Sequence, residues 1–237
     1  MKKLYLCASP IGNLGDVSFR LLDTLKKVDL ILAEEPNITI KLLNFYNIKK
    51  RIVKLHDSDL VLENKVKYAK NYKNVRSKIL DLLSKVEEVA YLSSAGTPNL
   101  EDPPVNLVNY CYENSIEIEV IPGPSALTAI LSVSPFYHTP FAFLGFLPKK
   151  NTQLKKTIDK IKTLFNDEFI KSIIFFESPY RINKTLSLFK ESFSDNYILI
   201  AHELTKINQK FILKRLKEID NLIEKGEYTV ILYKRTL

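Results

Sequence analysis

Five short apolar runs punctuate the first half of the chain, at residues 4–8, 30–34, 52–55, 89–93 and 116–121, and most of them stop at a cluster of Gly, Pro, Asn, Ser or Asp. Between them lie longer stretches with helical periodicity: 18–27, 39–46, a long one within 60–85, and 105–113. A helix-length connection lets the next strand pair in parallel, where a two-residue hairpin cannot. The pattern predicts an open, largely parallel α/β sheet. In such sheets ligands sit beyond the carboxyl ends of the strands, where the turn residues cluster here.

A second set follows Pro122-Gly123-Pro124. Strands are expected at 141–146, 172–177, 197–202 and 228–234, and helices at 125–132, 152–165 and 181–191. Residues 206–225 fit neither period. The chain therefore reads as two α/β domains, 1–120 and 121–237, with no low-complexity linker and no repeat of fixed period.

Composition narrows the class. Of 237 residues, 46% are hydrophobic and 26% charged, the balance of a globular protein. Cys7 and Cys111 alone cannot make a disulfide framework or a cysteine-rich zinc module, which fits a reducing cytoplasm. Residues 4–8 are too short for the apolar core of a leader. The longest apolar stretch, 127–147, is broken by Pro135, His138 and Pro140, so core elements and no membrane span are expected there. The net charge of +8 permits an anionic partner. Twelve Lys/Arg against four Asp/Glu fall in 41–85, whereas 86–119 holds seven acids and no Lys or Arg. The basic stretch reads either as a phosphate-facing surface or as a solvated helix.

The turns carry the candidate chemistry. Ser9-Pro10-Ile11-Gly12-Asn13-Leu14-Gly15-Asp16 follows the first run, and its glycines allow a tight turn and close ligand approach. It is neither a dinucleotide nor a phosphate-loop fingerprint. Its alternative reading is a plain strand-to-helix turn in which Asp16 or Ser18 caps the helix. Ser93-Ser94-Ala95-Gly96-Thr97-Pro98 offers free amides to a flat ligand, or is a simple turn. Pro122-Gly123-Pro124-Ser125-Ala126 suits a helix start. In the second half, Arg181 and Lys206 are candidate anion holders, and Glu177, His202 and Glu203 either acids and bases or ion-pair partners of those cations. His56, His138 and His202 are far apart, and no metal site is expected. No serine triad is visible, and neither cysteine has an activating base beside it.

Taken in order, Pro10-Ile11-Gly12-Asn13-Leu14-Gly15-Asp16, Ala33-Glu34, Ala95-Gly96-Thr97-Pro98, Asp102-Pro103, Pro122-Gly123-Pro124-Ser125-Ala126, Gly145-Phe146-Leu147-Pro148-Lys149, Glu177-Ser178-Pro179-Tyr180-Arg181 and Glu203-Leu204-Thr205-Lys206 resemble the tetrapyrrole methylase superfamily over nearly the whole chain. Within it they are most similar to the branch that methylates ribose in small-subunit ribosomal RNA. The resemblance implies S-adenosylmethionine in a cleft between two α/β domains, a homodimer, and 2′-O-methylation of a cytidine on ribosomal RNA or the small subunit. By motif, cofactor contacts would come from Pro10, Gly12, Ala95, Gly96, Thr97, Ser125, Ala126 and Leu204. Glu34, Glu35, His56 and Lys206 are the candidate catalytic groups, and Arg181 and Lys149 the candidate substrate holders. The chain departs from the branch pattern at Glu35-Pro36-Asn37, Asp57-Ser58, Ser94, Pro104 and His202. The departures leave open another RNA site, a small-molecule acceptor, or a non-catalytic member of the family.

Overall fold

A computed structural model describes residues 1–56, 60, 72–101, 104–167 and 169–234. The chain divides into two compact units, Met1–Ser125 and Ala126–Leu237.

The first unit is built on strands β1 (Lys3–Cys7), β2 (Leu30–Ala33), β3 (Ile52–Lys54), β4 (Glu88–Leu92) and β5 (Glu117–Ile121). They pair in parallel in the order β3-β2-β4-β1-β5. Residues of alternating parity face opposite sides of the sheet. Tyr5, Cys7, Ile31, Ala90 and Leu92 meet helices α1 (Phe19–Lys27) and α2 (Pro36–Phe45) through Leu21, Leu25, Leu42 and Leu43. Leu4, Leu30, Leu32, Val89 and Tyr91 meet α3 (Tyr72–Ser84) and α4 (Val105–Glu113) through Ile79, Leu83, Leu107 and Cys111. Every β2 residue is buried, as a strand sandwiched between helices must be. Helix α1 starts where Ser18 accepts a bond from the Leu21 amide, so Ser18 and not Asp16 is its cap. Helix α2 starts earlier than its periodicity suggested, because Pro36 is pre-set for a first turn. Part of the helix expected within 60–85 lies outside the described residues.

The second unit differs from the first. Its strands are β6 (Phe141–Phe146), β7 (Ser172–Glu177), β8 (Tyr197–His202), β9 (Lys210–Arg215) and β10 (Tyr228–Tyr233), in the order β6-β7-β10-β8-β9. Only β6 and β7 pair in parallel among the described residues; the other neighbours are antiparallel. The region 206–225 that fitted neither period supplies β9, an edge strand. Its Phe211 and Leu213 are exposed and its ends are charged, so no burial period marks it. One sheet face packs under α6 (Asn151–Asn166) and α7 (Ile182–Phe193), whose Leu154, Ile158, Ile161, Phe165, Leu186 and Phe189 meet Ile173, Phe175, Ile198 and Val230. Helix α5 (Ala126–Ser132) lies against β10, and the Ser134 and Tyr233 hydroxyls meet at 2.7 Å close by. Among the described residues no helix is long and apolar enough to cross a membrane.

The Phe189 ring is fully buried, 5.3 Å from that of Phe175 and 5.8 Å from that of Phe193. Phe189→Ala is expected to cost about 3–5 kcal/mol, because the cavity it leaves is walled by rigid strands and helices. A urea titration followed by circular dichroism reads this as a lower midpoint. An unchanged midpoint would contradict the packing described.

Candidate functional site

The registers of the first sheet line up Lys54, Ala33, Leu92, Cys7 and Ile121 as the last residues of their strands. Everything just beyond them shares one edge: His56 after β3, Glu34 and Glu35 after β2, residues 93–97 after β4, 8–15 after β1 and 122–125 after β5. Helices α1 and α4 leave β1 and β4 toward opposite faces of the sheet. Right-handed crossovers require this, since one connection moves toward β2 and the other toward β5. The loops after β1 and β4 therefore diverge and open a crevice between two neighbouring strands. Pro10, Gly12, Ala95, Gly96, Thr97 and Ser125 all stand at this edge.

Main-chain bonds hold the crevice. The Ser9 amide donates to the Gly96 carbonyl and the Gly96 amide to the Ser9 carbonyl, both at 3.0 Å. The Ser93 hydroxyl donates to the Gly96 carbonyl at 2.5 Å. Gly96 has φ +73°, and a Cβ there would sit 3.3 Å from the Ile11 side chain. A Cβ on Gly123 would come within 3.1 Å of Ala8. Across the loop, the Asn13 side chain accepts from the Gly15 amide at 2.9 Å and the Tyr46 hydroxyl donates to the Leu14 carbonyl at 2.6 Å. Gly12 and Ala95 remain exposed. The Ser94 hydroxyl is buried without a hydrogen-bond partner, so the edge holds a polar group that a ligand can satisfy.

Glu34 is half-buried, and Glu35 is exposed at the start of α2, where its side chain caps nothing. His56 is exposed. These groups lie beyond β2 and β3. Strand β2 is two strand spacings from β1, roughly 10 Å. Asp57, Ser58, Asp102 and Pro103 lie outside the described residues. Burial pushes the Cys7 thiol up to about 12 and that of Cys111 to about 11, so neither is a nucleophile near neutral pH.

In the second unit β6, β7 and β8 all point toward one edge. Lys149, Arg181, Leu204 and Lys206 gather there, and Ala126 begins α5. Arg181, expected to hold an anion, spends its guanidinium within the protein. It donates to the Leu147 and Pro148 carbonyls at 2.9 and 3.0 Å and lies 3.2 Å from Glu177. Glu177 is buried and also accepts from the Thr185 hydroxyl at 2.7 Å. Lys149 is exposed.

Lys206, expected as a polarising cation, is committed as well. Its ammonium donates to Glu203 and Glu227, each at 2.9 Å. Glu203 and Thr205 both take positive φ, +54° and +63°, which is costly for a β-branched residue. The Glu227 amide closes the ring on the Glu203 carboxylate at 3.0 Å. His202 stacks on Tyr228 with ring centroids 4.6 Å apart, and its Nε2 meets the Lys225 carbonyl at 2.7 Å. A cavity of about 190 Å³ opens beside these groups, against His202, Lys210 and Lys225. Leu204 is buried, and the Thr205 hydroxyl is buried without a partner. Burial pushes the Glu203 carboxyl up, but the Lys206 hydrogen bond and charge outweigh it and hold the group below its usual range. Burial likewise lowers Lys206, and its two carboxylates outweigh that and raise it. Sequence reading missed Glu227, Gly226 and the Ser94 hydroxyl. The first two are far in sequence from residues 203–206 and arrive through the pairing of β8 with β10.

A family model for tetrapyrrole (corrin/porphyrin) methylases matches residues 3–220. A protein named ribosomal RNA small subunit methyltransferase I from Thermotoga maritima is 40% identical, over 98% of this chain and 98% of its own. Proteins of the same name from Borrelia garinii and Bacillus subtilis are 36% and 33% identical, over 96% and 91% of this chain and 97% and 68% of theirs. Among solved structures, a diphthine synthase aligns over 99% of this chain and 90% of its own, with a TM-score of 0.70 at 14% identity. A uroporphyrin-III C-methyl transferase from Thermus thermophilus, complexed with S-adenosyl homocysteine, aligns over 99% and 98% with a TM-score of 0.60 at 13% identity. At such identities the two structures establish the fold alone.

Two outcomes follow for the second unit's edge. Gly226 has φ +84°, and a Cβ there would sit 2.6 Å from His202 Nε2 and 2.7 Å from the Glu203 carboxyl. Gly226→Ala is expected to cost about 2 kcal/mol and lower Tm; an unchanged Tm would mean the turn is not braced as described. Lys206→Met is expected to cost about 1 kcal/mol, since the pair is partly exposed. Because Glu203 is lowered when folded, that difference is present above its ordinary value of 4.5 and shrinks as pH falls through the lower folded value. Because Lys206 is raised, the difference persists up to 10.5 and is lost only above it. Melts of both proteins across pH check the window; a gap independent of pH would contradict the ion-pair account.

Proposed function

The chain belongs to the tetrapyrrole (corrin/porphyrin) methylases, and from that premise we propose that it methylates the ribose 2′-hydroxyl of a cytidine in small-subunit ribosomal RNA. Members of the RNA branch are S-adenosylmethionine-dependent methyltransferases, and this chain is one by family. The observation that carries the reading is 40% identity sustained over 98% of the chain with a relative named for small-subunit ribosomal RNA methylation.

The first unit's edge fits the cofactor. Gly12 and Ala95 leave main chain uncovered for hydrogen bonds, with Pro10, Gly96, Thr97 and Ser125 beside them, and the Ser94 hydroxyl needs a partner. When bound, S-adenosylmethionine supplies an electrophilic methyl carbon on a cationic sulfur. The protein's share of the reaction is to align the ribose oxygen and take its proton. A ribose hydroxyl is a weak acid, so an acceptor on the enzyme speeds the step. Among the described residues at this edge, Glu34, Glu35 and His56 are groups able to accept it. Lys206, clasped by two carboxylates, is assigned to holding its turn. The protein acts in the cytoplasm on the small subunit, as a homodimer.

Calorimetry with S-adenosylmethionine is expected to give one site per chain, and Ser94→Ala to weaken it about fivefold, the worth of one hydrogen bond. An unchanged affinity would place the hydroxyl outside the cofactor contact. Small subunits from a strain deleted for the gene should accept labelled methyl at one cytidine ribose. Among Glu34→Gln, Glu35→Gln and His56→Ala, one should lower that rate about 100-fold. Cofactor binding without transfer to the subunit would move the acceptor to another RNA or a small molecule.

A further inference from the structure

We infer that Tyr180 and the lysines at and after the β6–α6 loop form a platform for a single-stranded stretch of RNA, the ring stacking on a base and the ammonium groups tracking phosphates. The inference rests on the RNA reading above and assigns it a surface in the second unit.

Tyr180 is 81% exposed, yet the backbone on both sides of it is pinned. The Ser178 carbonyl accepts from the amides of Arg181 and Ile182, both at 3.1 Å, and the Ser178 amide donates to Glu177 at 2.8 Å. Arg181 ties this turn to the loop after β6 through the Leu147 and Pro148 carbonyls. The turn is thus built with care for its backbone while the ring points away from the core. An aromatic side chain on a fixed backbone loses little freedom when a flat partner lies on it. The loop it is tied to leads directly into Lys149 and Lys150.

The charge on this surface is in large excess of one sign. Residues 149–162 hold six lysines and one acid. Lys162 pairs with Asp159 at 3.5 Å. Lys149, Lys150, Lys155, Lys156 and Lys160 are exposed and make no salt bridge among the described residues. Helix α6 buries Leu154, Ile158, Ile161 and Phe165, so Lys156 and Lys160, one turn apart, stand on its outer side. By contrast, Arg181 and Lys206 at the same edge are neutralised by carboxylates. Unpaired lysines on the loop tied to the turn of an exposed aromatic ring, and on the helix that follows that loop, match a backbone that carries one charge per nucleotide and bases that present a π-face.

The two contributions separate by salt. The full chain is titrated into a fluorescein-labelled, mixed-sequence single-stranded oligoribonucleotide over a series of KCl concentrations, and anisotropy is read. Tyr180→Ala should weaken binding about tenfold at every salt concentration and leave the salt slope unchanged, while Tyr180→Phe should bind as the wild type does. Lys156→Gln with Lys160→Gln should flatten the slope of log K against log salt by about 1.4. All these side chains are exposed, and an unchanged Tm for each variant excludes misfolding. Wild-type affinity for Tyr180→Ala, or a wild-type slope for the double lysine variant, overturns the platform. If the wild-type protein methylates small subunits and these variants do so equally well, the platform fails and the RNA reading stands. If the wild-type protein binds no oligoribonucleotide at low salt and methylates no subunit, both fail.

Discussion

Parallel pairing is the constraint on which the first unit depends. A parallel neighbour is reached only by carrying the chain back across the sheet, so each connection becomes a helix and each strand ends at the same edge. The order β3-β2-β4-β1-β5 then sends α1 and α4 to opposite faces and parts the loops after β1 and β4. The crevice is a result of topology before any side chain is chosen. Gly12 and the small residues at 93–97 keep it open, and the reciprocal main-chain bonds of Ser9 and Gly96 keep its walls in place.

The second unit reaches an edge of similar chemical richness by another route. Antiparallel β10 lies between β7 and β8, which brings Glu227 beside Glu203 and Lys206. There the turn is held by charge. Two residues with positive φ are kept in that conformation by one ammonium between two carboxylates, and Gly226 must lack a side chain to let His202 and Glu203 close over it. Arg181 does comparable work for the neighbouring loops, with two carbonyls and buried Glu177 as its anchors. Side chains that look like ligand holders in the sequence are here the braces of the edge.

The elements most legible in the sequence are those whose burial writes a period. Helix α4 and strands β6, β7 and β8 fall at the residues expected, because each presents a continuous apolar face to a core. Strand β9 was illegible because it sits at a sheet edge with both ends in solvent. The open loops of the first unit were legible too, through glycine and proline at strand ends. What sequence could not supply was partnership. Nothing near residue 206 announces Glu227, and nothing near residue 181 announces the carbonyls of Leu147 and Pro148, since in both cases strand pairing makes the introduction. The vacancy of the Ser94 hydroxyl is likewise visible only once its neighbours are placed.

The reciprocal bonds between Ser9 and Gly96 involve only main-chain atoms. Ser9 is nonetheless buried, and its hydroxyl meets that of Ser93 at 3.3 Å, so a bulkier residue at position 9 keeps the two main-chain bonds but presses on the frame behind them. The charged turn of the second unit is held by a shared member, for loss of Lys206 strands both Glu203 and Glu227, whereas loss of either carboxylate leaves the other paired. The two edges therefore drift under different rules: one is limited by the room left around its main chain, and the other can exchange either carboxylate as long as the shared ammonium stays.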